Sequence, residues 1–217
     1  PFKKDLEIAL HRKVKLMNDA NCFTLSEAVD GAGKDYQSIF GIIVGTGFGG
    51  ALSYKKEIIE GANQIAGDWG HQPIPYPTKE EIETKINCPS MNCGRPLCAE
   101  QFMSGIGFKD VFNQKHKTNF TSEEIVKLDL NGDPRANSEL SLYEDRMARL
   151  LAVMIGIFDP DAIILGGGMS NIDRFYINIP TLIPKYTFSN KVKTKVLKNF
   201  HGDSSGVRGA AWLWNNV

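Results

Sequence analysis

Residues 67–100 gather the side chains best suited to chemistry: Asp68, His71, Cys88, Cys93, Cys98 and Glu100. The stretch carries almost no regular apolar period, so a core of its own does not explain it. Two kinds of chemistry do. Three thiolates and an imidazole form a closed tetrahedral zinc set, although Cys-x4-Cys-x4-Cys is not a familiar zinc-knuckle spacing and buried free thiols are the alternative. Carboxylates and an imidazole also accept hydrogen bonds from the hydroxyls of a sugar, unless Asp68, His71 and Glu100 are merely solvated loop residues.

Three further motifs carry chemistry elsewhere. Asn18-Asp19-Ala20-Asn21 places a carboxylate flanked by amides at the end of an expected strand. Such a group can take a proton from a hydroxyl, but Asp and Asn are also common helix N-caps. In Gly45-Thr46-Gly47-Phe48-Gly49-Gly50 the glycines let the backbone approach a phosphate and aim N–H groups at it, with Thr46 adding a hydroxyl. A plain hairpin turn is the alternative, and no Gly-Lys-Ser/Thr follows, so this is not a Walker A loop. Gly166-Gly167-Gly168 follows an apolar run, where nucleotides dock in α/β folds or where a strand packs closely into a helix. It lacks the GxGxxG spacing of a dinucleotide site. Cys22 reads as core, His116 as exposed, and Trp212 and Trp214 as packing groups.

The elements that must position these residues follow from periodicity and punctuation. A short helix over Leu6, Ala9 and Leu10 and a short strand at residues 14–17 lead to a helix over 20–29, with Cys22, Leu25 and Val29 on one face. Residues 39–44 are near-continuously apolar, fit for a central strand buried on both faces. The glycine-rich turn sends the chain back through residues 51–54, and Lys55-Lys56 turns it again into 57–59. Helices are expected near Cys98 and Ser104, and one from Thr121 with Glu124 completing a capping box. Leu140, Tyr143, Met147, Leu150, Leu151, Met154 and Phe158 mark one face of a helix from Ser138 that Asp159-Pro160 stops. A buried strand at 162–165, the triple glycine, a helix capped by Ser170 or Asn171, a lysine-rich strand over 191–198 and a final helix over 207–214 complete an α/β pattern.

Composition removes several classes. Hydrophobic content of 42% and charged content of 23% are ordinary for a soluble globular protein. With 25 basic and 25 acidic residues the formal charge is zero, which asks for no nucleic acid and no anionic membrane as partner. The lysines at 191, 193, 195 and 198 read as the charged outer face of an edge strand. No apolar run is long enough to span a bilayer and no signal peptide is expected. In a cytoplasmic protein, three cysteines beside a histidine suggest metal before disulfide. The 217 residues suffice for one large domain or one domain with part of another. The start at Pro1-Phe2-Lys3-Lys4, without an initiator Met, leads us to expect a fragment lacking an N-terminal portion.

Taken together, these motifs resemble one family, the ROK sugar kinases. That family shows Asn-Asp-Ala-Asn, Gly-Thr-Gly-x-Gly-Gly, Glu-x-Gly-His, Cys-x-Cys-Gly-x-x-Gly-Cys-x-Glu and a Gly-Gly-Gly adenosine loop, and all five occur here in order, two imperfectly. Gly67-Asp68-Trp69-Gly70-His71-Gln72-Pro73, Leu165-Gly166-Gly167-Gly168-Met169-Ser170-Asn171 and the run from His201 to Trp214 carry the likeness toward the bacterial fructokinases. The resemblance implies a ribonuclease H-like α/β fold of the actin-like ATPase, hexokinase type, with two domains and a cleft, of which this chain is mainly the C-terminal domain. It implies residues 1–22 as a remnant of the small N-terminal domain and 23–200 as the C-terminal ROK domain with a zinc-type loop at 67–100. Residues 201–217 would be a helix that normally packs on the small domain.

The resemblance further implies ATP-dependent phosphorylation of a hexose, fructose to fructose 6-phosphate first, with Asp19 as the base on the 6-hydroxyl. Asn18, Asp68, His71 and Glu100 would hold the sugar. Gly45, Thr46 and Gly47 would face the ATP phosphates, and Gly166 and Gly167 the adenosine, with Mg²⁺ accompanying ATP. His71, Cys88, Cys93 and Cys98 would hold a structural zinc, the second nitrogen of His71 being fixed toward the sugar. A homodimer and a cytoplasmic location are expected on the same ground. Sugar-responsive repressors and kinases for glucose or N-acetylhexosamines belong to the same family and stand as alternatives. Asp19 together with both glycine loops favours a kinase.

This sequence departs from the family pattern in four places. Asp68 replaces the glutamate, so its sugar contact must shift or run through water. Met91 stands at the first zinc cysteine, with Cys88 the expected substitute, because a thioether is a poor zinc ligand. Leu97 replaces the glycine before the last cysteine. The family's Asp-x-Gly-x-Thr phosphate loop does not occur in the sequence, so the chain by itself is expected to phosphorylate poorly or not at all.

Overall fold

The computed structural model describes residues 2–84, 86–90 and 93–214; Met91, at the family's cysteine position, lies outside them. A mixed sheet organises the chain, in the order β3-β2-β1-β4-β5. Its centre is β1 (Ser38–Val44) beside β4 (Ala162–Gly166), the two apolar runs, paired in parallel. Both are buried on both faces, as such runs require. β2 (Phe48–Tyr54) returns antiparallel to β1 through Gly45-Thr46-Gly47, so that Val44 faces Phe48. Lys55 and Lys56, both left-handed with φ of 52° and 66°, close the next hairpin into β3 (Glu57–Ile59), the geometry that matches strand twist in a two-residue turn. β5 (Lys195–Lys198) forms the other edge, parallel to β4.

Alternate residues of the central strands feed two layers. Phe40, Ile42, Val44, Ile163 and Leu165 enter the main core. That core is covered by α4 (Ala99–Met103), α5 (Gly105–His116), α6 (Ser122–Leu130), α7 (Pro134–Phe158) and α8 (Phe175–Leu182), with α3 (Lys79–Glu83) at its margin. Ile39 and Ile164 face the opposite way, against Phe23 and Ala28 of α2 (Asp19–Val29). Along α7 the expected stripe from Leu140 to Leu151 is buried. The helix starts ahead of Ser138 because Asp133 caps it, accepting from the N–H of Arg135 at 2.8 Å, and Pro134 occupies its first turn. No helix among the described residues is long and apolar enough to cross a membrane.

α2 is clamped from both sides. A Cβ at Gly41 would lie 2.0 Å from Thr24 Oγ1, so the helix rests directly on β1. Above it runs α9 (Ser205–Trp212), where a Cβ at Gly209 would meet the Cys22 carbonyl oxygen at 1.7 Å. Cys22 is buried there, as its spacing suggested. The expected boundary between residues 22 and 23 thus falls inside one helix, and the C-terminal helix lies against α2. α1 (Phe2–Leu10) precedes them and buries no residue.

Three local expectations fail, each for a physical reason. Residues 14–17 form no strand: Leu16 is 50% exposed, and among the described residues they pair with none of the five strands of the sheet. Residues 191–194 do not join the lysine strand, because β4 begins at Ala162, which already pairs with Lys195. Neither Ser170 nor Asn171 caps α8. Ser170 Oγ instead donates to the Gly167 carbonyl at 2.6 Å within a 3-10 turn over Gly168–Asn171, and Arg174 precedes α8 without a side-chain cap.

Candidate active site

The start of α2 separates two roles that the sequence left superposed. Asn18 is the N-cap: its Oδ1 accepts from the N–H groups of Ala20 at 2.9 Å and Asn21 at 3.3 Å. Asp19, the first helical residue, is exposed, with Oδ1 accepting from Ala20 N–H at 2.8 Å. Its other oxygen has no partner among the described residues. Asn18 and Asp19 line a cavity of about 120 Å³ with Gly49 and Gly50 of β2 and with Gln64 and Asp68 of the loop that follows β3.

The two glycine loops meet in a second cavity of about 810 Å³, lined by Gly45, Thr46 and Gly168 together with Lys109 of α5 and Lys127 of α6. This is the size of a cofactor pocket. Gly105 donates its N–H to the Gly45 carbonyl at 2.7 Å, which seats the first turn of α5 against the glycine-rich turn. Gly167 is left-handed at φ 82°, and a Cβ there would lie 2.6 Å from the Val44 carbonyl oxygen, so only glycine lets the second loop press against the first. Gly166 is packed against Phe23 of α2. Of the expected nucleotide residues, Gly45 and Thr46 reach the cavity wall. Gly47 faces Glu100, Gly166 and Gly167 sit behind the wall, and Gly168 supplies it.

The third cluster is the Cys/His set. Backbone pairing of residues 70–74 with 97–100 (Ile74 N to Leu97 O 2.8 Å, Ala99 N to Gln72 O 2.8 Å, Glu100 N to Gly70 O 2.9 Å) places His71 beside Cys98. One ligand atom from each of His71, Cys88, Cys93 and Cys98 lies within 4.8 Å of every other. Cys98 Sγ stands 3.5 Å from His71 Nδ1 and 3.5 Å from Cys93 Sγ, and Cys88 Sγ 3.9 Å from His71 Nδ1. Tetrahedral zinc with bonds of about 2.0–2.3 Å sets its ligands about 3.5–3.8 Å apart, so the residues present fit the ion, with Cys88 as the fourth ligand. Burial raises the thiols of Cys88 and Cys98, whereas the Arg95 backbone N–H brings Cys93 down to about 7. Leu97, at the family's glycine position, is left-handed with φ 56°.

Glu100 joins this cluster to the glycine turn. Its Oε2 accepts from Phe48 N–H at 3.2 Å and its Oε1 from Cys88 Sγ at 3.7 Å. The three clusters therefore converge on residues 45–50: Asp19 and Asp68 at Gly49 and Gly50, Glu100 and the thiols at Phe48, and the large cavity at Gly45 and Thr46. His71 and Glu100 do not line the cavity that holds Asp19.

Sequence reasoning missed what anchors the loop. Glu81 is buried and receives Arg146 Nε at 2.8 Å and Arg149 Nη2 at 2.6 Å from α7. Arg149 also donates to the carbonyls of Pro75 at 2.8 Å and Tyr76 at 2.9 Å. The one local signal was Thr78 three residues before Glu81, a capping box that the structure completes.

Comparison with known proteins adds the following. The ROK family profile matches residues 1–217. An N-acetyl-D-glucosamine kinase of Vibrio atlanticus (strain LGP32) is 38% identical over 213 residues, covering 98% of this chain and 70% of its own length. A ROK hexokinase from Thermus thermophilus superposes with a TM-score of 0.82 at 25% identity, covering 97% of this chain and 68% of that one. A ROK family glucokinase from Streptomyces griseus, solved with glucose and AMPPNP, gives a TM-score of 0.82 at 24% identity, with 98% and 72% covered.

Proposed function

Because the chain belongs to the ROK family and shares its actin-like ATPase fold, we propose that the protein phosphorylates a hexose with ATP, and that N-acetyl-D-glucosamine stands ahead of fructose as the sugar. The observation that carries the reading is the convergence of an exposed carboxylate, a Cys/His cluster and a nucleotide-sized cavity on one turn, residues 45–50. The fructose expectation rested on phrase-level likeness. Relatives 37–38% identical over almost the whole chain are N-acetyl-D-glucosamine kinases instead.

In this reading the Asp19 carboxylate takes the proton of the 6-hydroxyl as the oxygen attacks the terminal phosphorus of ATP, the bond from that phosphorus to the bridging oxygen breaks and ADP leaves. Asn18, already fixed as a cap, and Asp68 hold sugar hydroxyls. His71 and Glu100 stand behind Phe48 and fix that side of the turn, as sugar contacts or supports. Thr46 and the N–H groups of the glycine turn face the phosphates, with Gly168 toward the nucleoside and Gly166 and Gly167 packed behind it. Mg²⁺ bound with ATP would neutralise charge on the transferred group. Zinc held by His71, Cys88, Cys93 and Cys98 would be structural, tying the loop to α4 through Cys98. A homodimer belongs to the same proposal and is checked by light scattering.

The test is a coupled kinase assay of the full-length protein over a hexose panel, with metal analysis of the same sample. We expect turnover of N-acetyl-D-glucosamine above fructose and about one zinc per chain. A preference for fructose would reverse the sugar ranking. Absence of phosphorylation of every hexose by a protein that still binds ATP would remove the kinase reading.

A further inference from the structure

Gln64 has a left-handed backbone, φ 57°, in an exposed loop. Such a conformation is unfavourable for any side chain with a Cβ, and a residue that keeps it requires an account. The other non-glycine residues that share it have one. Lys55 and Lys56 make a hairpin turn, Lys117 and Asp159 cap helices, and His11 follows directly on α1. Tyr76 offers its carbonyl to Arg149 and stacks on Tyr186 at 6.3 Å, and Leu97 is packed against the main core. Gln64 ends a turn closed by its N–H on the Gly61 carbonyl at 3.3 Å, a position that does not require φ above zero. Its carboxamide makes no hydrogen bond among the described residues.

What the conformation achieves is placement. Gln64 lines the small cavity opposite Asn18 and Asp19, on the same loop wall as Asp68. An ionised carboxylate only accepts hydrogen bonds. Asp68 therefore serves a sugar hydroxyl as acceptor, and Gln64 is the side-chain donor of that wall. We propose that Gln64 is a sugar-binding residue whose amide donates to an oxygen of the hexose, the strained backbone being retained for that contact. This rests on the assignment of the Asp19 cavity to the sugar.

The strain gives a test in which a structural role and a binding role move different readouts. Glycine at position 64 adopts the left-handed backbone without hindrance and removes the amide. Gln64→Gly is expected to raise the thermal midpoint of the ligand-free protein by roughly 2 °C. The same variant is expected to weaken binding of N-acetyl-D-glucosamine by about fivefold to tenfold, read by calorimetric titration and by KM, with KM for ATP within twofold of wild type. Gln64→Asn, which tolerates the left-handed region and keeps a shorter amide, should recover part of the affinity. A higher midpoint with unchanged sugar affinity would overturn the proposal while leaving the Asp19 cavity in place. A midpoint that stays level or falls would overturn the strain on which it stands. If the wild-type protein binds no hexose, the cavity assignment fails and takes this inference with it.

Discussion

The two carboxylates of α2 sit in opposite surroundings. Asp19, in the first turn, is exposed and uses one oxygen on a neighbouring backbone N–H. Glu27, about 12 Å further along the helix axis, is fully buried and saturated. It accepts from the N–H groups of Ala32 at 2.9 Å, Phe200 at 3.0 Å and His201 at 3.2 Å, and from Ser205 Oγ at 2.8 Å. The same functional group is available for proton transfer at one end of the helix and fastens the C-terminal segment at the other. Residue type does not distinguish them; the number of donors already facing each oxygen does.

The largest way to test that contrast is to remove the proposed base. Asp19→Asn keeps size and polarity, so the folded protein should be nearly unperturbed, within about 0.5 kcal/mol of wild type, as for other exposed positions. Its kcat should fall about 10²- to 10⁴-fold, the usual contribution of general-base catalysis, while sugar affinity largely survives. Coupled assay, titration and thermal melting of one preparation read all three. Unchanged turnover would remove Asp19 as the base.

Glu27→Ala should do the reverse. Three N–H groups and a hydroxyl lose a buried acceptor, which costs about 3 kcal/mol or more and lowers the thermal midpoint by about 6–12 °C in a domain of this size. Per folded molecule, kcat at low temperature should stay within twofold of wild type. An unchanged midpoint would show that water replaces the carboxylate.

Glu81 sharpens the comparison, because it is buried like Glu27 but faced by cations. Burial pushes its carboxyl up, yet the hydrogen bonds from Arg149, from Thr78 N–H and from Arg146 outweigh burial and leave it below the ordinary glutamate range. A carboxylate lowered in the folded state stabilises above its unfolded-state value and loses that stabilisation as the pH falls through its folded-state value. Glu81→Gln should therefore lower stability by about 2 kcal/mol at neutral pH. The gap in urea midpoint from wild type should narrow from neutral pH to a pH below the folded-state value, where wild type is itself protonated. A gap of equal size at both pH values would make the loss one of packing rather than charge.

These anchors also mark the limit of what the sequence made legible. The apolar runs of β1 and β4, both hairpins and the stripe of α7 were readable because each is a local period between turn residues. Asp19, the two glycine loops and the thiols were readable because residue type itself names a chemistry. Glu27 with His201, and Glu81 with Arg149, pair residues 174 and 68 positions apart, and nothing local records such a pairing. Residues 14–17 failed for the complementary reason: a strand-like pattern has no meaning without an edge to pair on. That Gly166 and Gly167 pack behind the cavity wall while Gly168 forms it is likewise decided by Phe23 and Val44, from other elements.

The smallest expected effect concerns Leu97, which shares the backbone conformation of Gln64 but not its surroundings. Leu97→Gly would relieve a left-handed residue, worth about 1 kcal/mol. It would also forfeit a side chain packed at the edge of the main core, and partial burial of a leucine is worth about as much. The two terms oppose each other, so stability should move by no more than about 0.5 kcal/mol, or about 2 °C in thermal midpoint. Because the Leu97 carbonyl, which accepts from Ile74 N–H, is untouched, His71 should stay beside Cys98 and zinc content should not change. A fall of several degrees would mean that packing alone fixes this turn. A clear rise would mean that the leucine is held against its backbone preference, as is proposed for Gln64, and would place a second strained residue next to the thiols.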